Sequence, residues 1–146
     1  MIFQQAMLHN IEQLIWQPEN GDYLMCRVPE PVRTGLNAKA ASNICFASNS
    51  ELRFIMEGSE VTLVLRRAPV RGPILSHGIL QVFQGDYQGS YEISPFAVGT
   101  EETEIRIRRQ DFGFIQRFSR QGCRFSPEVT RVLLPYDWGS DSDAVQ

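Results

Sequence analysis

Alternation with period two dominates the chain. In ELRFIMEGSEVTLVLRR, residues 51 to 67, Leu52, Phe54 and Met56 fall on one side of an extended backbone, with Arg53 and Glu57 on the other. After Gly58 the apolar side resumes at Val61, Leu63 and Leu65. Side chains of a strand point alternately to its two faces, so both runs read as half-buried strands, and the glycine between them predicts a β-hairpin turning at Gly58. TEIRIRR repeats the device, with Ile105 and Ile107 directed inward and Glu104, Arg106 and Arg108 outward. GILQVFQG, YEIS and TRVLLP add short β stretches bounded by Gly, Pro or Ser. EQLIW and YLMCRVP add two more, joined by the turn sequence QPENGD.

Many short strands at close spacing predict an all-β chain, an antiparallel sandwich or barrel rather than an alternating α/β fold. At most one short helix is expected, over PVRTGLNAKAAS, residues 31 to 42, where Pro31 suits a first turn and Gly35 weakens the run. The expected core is Leu52, Phe54, Met56, Val61, Leu63, Leu65, Val82, Ile105, Ile107, Val132 and Leu134. A chain of 146 residues, 42% hydrophobic and 21% charged, is the size and make-up of one globular domain. That domain is placed at residues 1–136, with DWGSDSDAVQ, residues 137–146, as a polar tail or the start of a linker.

A net charge of -3 gives no global field that favours nucleic acid or an anionic membrane, and neither is expected as a partner. The arginines from Arg106 to Arg124, with Phe112, Phe114 and Phe118 among them, read as a half-exposed strand plus loop paired to neighbouring glutamates in preference to an anion or nucleic-acid site. Cys26, Cys45 and Cys123 are widely spaced, odd in number and without a CxxC, which points to free thiols rather than a disulfide framework or a zinc cluster. The N-terminus lacks the basic and apolar regions of a signal peptide, and a cytoplasmic location is expected.

The chemistry-bearing motifs are weak. Gly85-Asp86 imitates the Gly-Asp-Ser nucleophile of lipolytic enzymes, but Tyr87 stands where the serine belongs, and Ser90 lacks a Gly-x-Ser-x-Gly elbow. His9 and His77 are the only histidines, and neither follows an aspartate by three residues. Gly139, Asp141 and Ser142 imitate the same letters in the polar tail, where nothing would fix a hydroxyl. Without a serine, histidine and aspartate set, no catalysis, metal or cofactor is expected of this chain.

Three stretches, LNAKAASNICFASNSELRFIMEGSEVTLVLR, LQVFQGDYQ and FSPEVTRVLLP, together resemble the N-terminal β-sandwich domain that precedes the catalytic domain in a group of bacterial SGNH (GDSL-type) hydrolases. The resemblance covers roughly residues 30 to 135 and implies a jelly-roll-like antiparallel β-sandwich, a non-catalytic accessory module whose partner is an SGNH catalytic domain or a second copy of itself. Phe112, Phe114 and Ile115, apolar residues of an expected loop, are the candidates for a docking patch. The alternative is a carbohydrate-binding module that presents substrate to an esterase, with Trp16, Tyr23, Asp86, Tyr87, Gln88 and Trp138 as the candidate contacts. In either case GDYQG is the turn that ends the strand LQVFQG, with Gly85 or Gly89 relieving backbone strain and Asp86 capping it.

Overall fold

The apolar sides of the short strands are buried against one another in a computed structural model that describes residues 1–67, 78–88, 96–109, 125–126 and 128–135. The chain is all-β, with antiparallel sheets arranged as in a sandwich and two short helices. The larger layer is a six-stranded sheet. It is built from β1 (Ile2–Phe3), β2 (Ala6–His9), β5 (Glu51–Ile55), β12 (Val129–Leu133), β8 (Gln81–Gln84) and β9 (Tyr87–Gln88), in that spatial order. Its inner side chains, among them Leu8, Leu52, Val82 and Val132, share a core with Ile105 and Ile107 of β11 (Thr103–Arg108). Strand β11 pairs with β6 (Glu60–Leu65) so that Ile105 faces Leu63 and Ile107 faces Val61. A small pair, β7 (Gly78–Ile79) with β10 (Ala97–Val98), contributes Val98 to that core. The hairpin of β3 (Gln13–Gln17) and β4 (Asp22–Cys26) adds Leu14 and Met25 against it.

Every residue expected in the core is either buried or packed on the buried cluster. The pairing of residues 51 to 65 differs from expectation. Strand β5 pairs with β2 and β12, whereas β6 pairs with β11, so Gly58 turns the chain from one sheet into the other instead of closing a hairpin. A bend followed by a renewed apolar alternation fits both arrangements, because each keeps Leu52 and Val61 directed at the same core.

Residues 31 to 42 also differ, forming parts of two helices, α1 (Glu30–Thr34) and α2 (Ala38–Asn43). Gly35 ends the first. The Asn37 side chain then accepts a hydrogen bond of 3.0 Å from the Ala40 N–H, which is the cap that starts the second. YEIS, residues 91 to 94, and the tail 137–146 lie outside the described residues.

Candidate functional site

The β3–β4 hairpin turns at Gly21, whose backbone φ of +70° favours glycine, and this sets Trp16 directly opposite Tyr23. Their ring centroids are 4.9 Å apart at 59°, and Phe3 of β1 meets Tyr23 edge-on at 5.2 Å. Leu14 and Met25, two residues further from the turn on the same face, anchor that face in the core. Trp16 and Tyr23 extend past the core and keep 52% and 46% of their surface exposed. Next to Tyr23, the Asp22 carboxylate accepts a 2.6 Å hydrogen bond from the Arg66 guanidinium, both groups being about one third exposed.

Tyr23 and Arg66 also line a cavity of about 370 Å³. Its inner wall is apolar, formed by Met25, Phe46, Leu80, Val98 and Leu134, while Gln17, Arg33, Arg67 and Ser42 add polar groups. This size and mixed lining are typical of small-molecule sites. Arg33 is the residue of helix α1 that lines the cavity. Arg33 donates two short hydrogen bonds, 2.6 and 2.5 Å, to the Glu30 carboxylate, which lowers the pKa of Glu30 and raises that of Arg33. Both groups therefore stay charged through the physiological range.

Cys45 lines the same cavity, with its Sγ 3.7 Å from the Sγ of the fully buried Cys26. Burial is the main cause that pushes the Cys45 thiol up to about 11, and its hydrogen bond to Cys26 adds to the shift. Among the described residues no cluster of His, Cys, Asp and Glu could hold a metal ion.

Of the six residues expected to contact carbohydrate, the structure brings together Trp16 and Tyr23. Asp86, Tyr87 and Gln88 lie on the opposite edge of the six-stranded sheet, five strand spacings from β1, or roughly 24 Å. The turn expected to end the strand LQVFQG is there, at Gly85 and Asp86, where β8 stops. Gly85 and Asp86 form a two-residue hairpin loop, and Tyr87 opens β9, pairing with Gln84. Positive φ at Gly85 alone is the pattern of a type II′ turn. Asp86 accepts from the backbone N–H of Phe125 at 3.4 Å, so it ties the loop to a distant segment rather than capping the turn itself. Trp138 and the docking candidates Phe112, Phe114 and Ile115 lie outside the described residues, as do His77, Gly89 and Ser90.

The outer face of the six-stranded sheet carries one cross-strand row: Ile2, Met7, Arg53, Arg131, Phe83 and Gln88. Like charges placed opposite each other repel. Here Glu51 pairs with both arginines, at 2.7 and 3.5 Å, and the Arg131 guanidinium stacks on Phe125 and Phe83 at 4.0 and 4.7 Å from the ring centroids. On β11, Arg106 pairs with Glu104 and Arg108 with Glu60. The arginines of β11 thus form an ion-paired strand face, while Arg109 beyond it donates to the Met56 carbonyl.

Sequence reasoning missed Asp22, Arg66 and the cavity. Asp22 carried a signal as the residue between the turn glycine and Tyr23, but Arg66 is 44 residues away and only the fold makes them neighbours. Comparison with known proteins finds no matching family model, curated protein or solved structure, so nothing in it identifies an SGNH accessory domain.

Proposed function

We propose that the chain is a non-catalytic accessory module, of the kind its sequence resembles, that binds a soluble oligosaccharide at the β3–β4 hairpin. One observation carries this reading: Trp16 and Tyr23 stand exposed as a cross-strand pair, Tyr23 lines a cavity, and the adjacent residue Asp22 is ion-paired to Arg66, which lines the same cavity. An exposed ring offers an apolar face to the C–H side of a sugar, and a carboxylate with a guanidinium offers acceptors and donors to its hydroxyls. The 59° tilt between the rings forms a V and not a flat strip, which suits one or two sugar units of a soluble chain better than a crystalline polysaccharide surface.

The test is titration of the purified chain with soluble gluco-, xylo- and chito-oligosaccharides, followed by tryptophan fluorescence and melting temperature. At least one series should raise the melting temperature, and Trp16→Ala should abolish the rise while Tyr87→Ala and Gln88→Ala leave it intact. Equal responses from Trp16→Ala and the parent chain would remove the basis for this site. No hydrolytic step belongs to this reading, and the same protein should leave a short-chain aryl ester intact.

A second reading, docking on a catalytic domain or on another copy, is favoured by apolar side chains on the outer sheet face, where Ile2 is 74% and Ile55 64% exposed. Light scattering separates the two. A dimer that Ile55→Asp converts to a folded monomer supports docking.

A further inference from the structure

We infer that Cys26 and Cys45 are a site of reversible oxidation, closing an internal disulfide when a hydroperoxide enters the adjoining cavity. Both are free thiols, and their sulfurs lie 3.7 Å apart, so each needs to move by less than an ångström to reach the bonded separation of about 2.05 Å. The backbone is already closed around them. The N–H of Arg27, next to Cys26, donates to the carbonyl of Ile44, next to Cys45, at 3.2 Å. The Arg27 guanidinium adds hydrogen bonds to the carbonyls of Ile44 and Asn43 at 3.5 and 3.2 Å. The bond would staple two segments that the fold holds together without it.

The two sulfurs differ in access, which sets the order of events. Cys26 is fully buried, whereas Cys45 is half-buried and lines the cavity, so Cys45 meets the oxidant first. Its thiolate attacks one peroxide oxygen, the O–O bond breaks, and the sulfur becomes a sulfenic acid while hydroxide leaves and takes up a proton as water. The Cys26 thiolate then attacks the Cys45 sulfur, the S–O bond breaks, and the hydroxyl leaves as a second water with the Cys26 proton. Two thiols lose two electrons, and one hydrogen peroxide becomes two waters. A high thiol pKa lowers the thiolate fraction at neutral pH, so the reaction is slow there and quickens under alkaline conditions.

The bond would tie the end of β4 to Cys45, two residues past α2, and both β4 and α2 supply part of the cavity wall. This inference does not depend on what the cavity binds. The test treats the full chain with hydrogen peroxide and follows free thiols, linked peptides and melting temperature. Of three thiols one should remain, a tryptic map should contain the Cys26–Cys45 cross-link, and the melting temperature should rise and then fall back on reduction. Cys123→Ser should still form the bond. Cys45→Ser, at a half-buried position that tolerates a hydroxyl, should fold and lose the cross-link. Loss of the bond in Cys123→Ser, a cross-link that includes Cys123, or sulfenic acid that persists at Cys45 without Cys26 reacting would overturn the inference.

Discussion

Asn10 donates from Nδ2 to the backbone carbonyl of Asn49 at 3.4 Å, and both asparagines hold a left-handed backbone, at φ 60° and 61°. One ends β2 and the other leads into β5, the strand with which β2 pairs. The adjoining Ser50 is fully buried, donates from its hydroxyl to the Asn10 carbonyl at 3.3 Å, and accepts at its backbone carbonyl from the Leu134 N–H. Asparagine enters this backbone region at little cost because its short amide bonds locally, whereas a Cβ with no such partner meets the following carbonyl. Asn49→Ala should therefore lower stability by about 1 kcal/mol, and Asn49→Gly should leave it unchanged or better. Urea midpoints decide the matter. Equal midpoints for the alanine and glycine variants would show that φ is not the cause.

The β1–β2 hairpin carries a similar device with less suitable residues. Gln4 and Gln5 form its two-residue loop, and both have positive φ, at 45° and 68°, as a type I′ turn requires. Glutamine lacks both the freedom of glycine and the short amide of asparagine. Replacing the pair with Asn-Gly should stabilise the protein by about 1 kcal/mol, measured as a shift to higher urea midpoint with an unchanged slope. A midpoint that does not move would mean that the hairpin is already open in the native ensemble.

These turns explain what the sequence concealed. Strand β11 and the β3–β4 hairpin are legible because alternation marks the buried face and QPENGD marks the bend. The N-terminal hairpin has no such mark: its strands have two and four residues, and Gln-Gln is no turn signal. Leu8 and Ile11 consequently escaped the expected core, although both are buried. Pairing between sheets was hidden for a different reason. Period two states which side chains face inward but not which strand lies alongside, so β5 and β6 read as partners when each had a distant one. The site was legible only as residue types. Trp16 and Tyr23 belong to one local hairpin, whereas Asp22 meets Arg66 and Cys26 meets Cys45 only once the sheets are assembled.

Gln84 holds the two layers together in a way that apolar packing does not. It is buried on the inner face of β8, and its Nε2 donates to the Arg108 carbonyl of β11 at 2.8 Å. Gln84→Leu keeps most of the volume but removes this donor from a partly buried carbonyl. Loss of such a partner costs about 1–3 kcal/mol. The variant should show that decrease in urea, with faster amide exchange at the β11 end. Retained stability would mean that water replaces the amide.

The Cys45 thiol makes the stability of the reduced protein depend on alkaline pH. Its pKa rises from an ordinary 9.0 to about 11 in the fold, chiefly because burial disfavours the thiolate; the hydrogen bond to Cys26 and the Glu30 charge act the same way, while Arg33 opposes them. The folded state thus holds its proton where the unfolded chain has released it. Below pH 9 both states are protonated and the full contribution is present. Between 9 and about 11 the unfolded thiol ionises first, which draws the equilibrium toward unfolding, and the contribution is lost as pH passes the folded value. The informative quantity is the difference between the parent chain and Cys45→Ser, both kept reduced with a phosphine. That difference should shift against the parent as pH rises through this window and level off beyond it. Parallel stability curves from pH 8 to 11 would show that the Cys45 thiol is solvated as freely in the fold as in the unfolded chain.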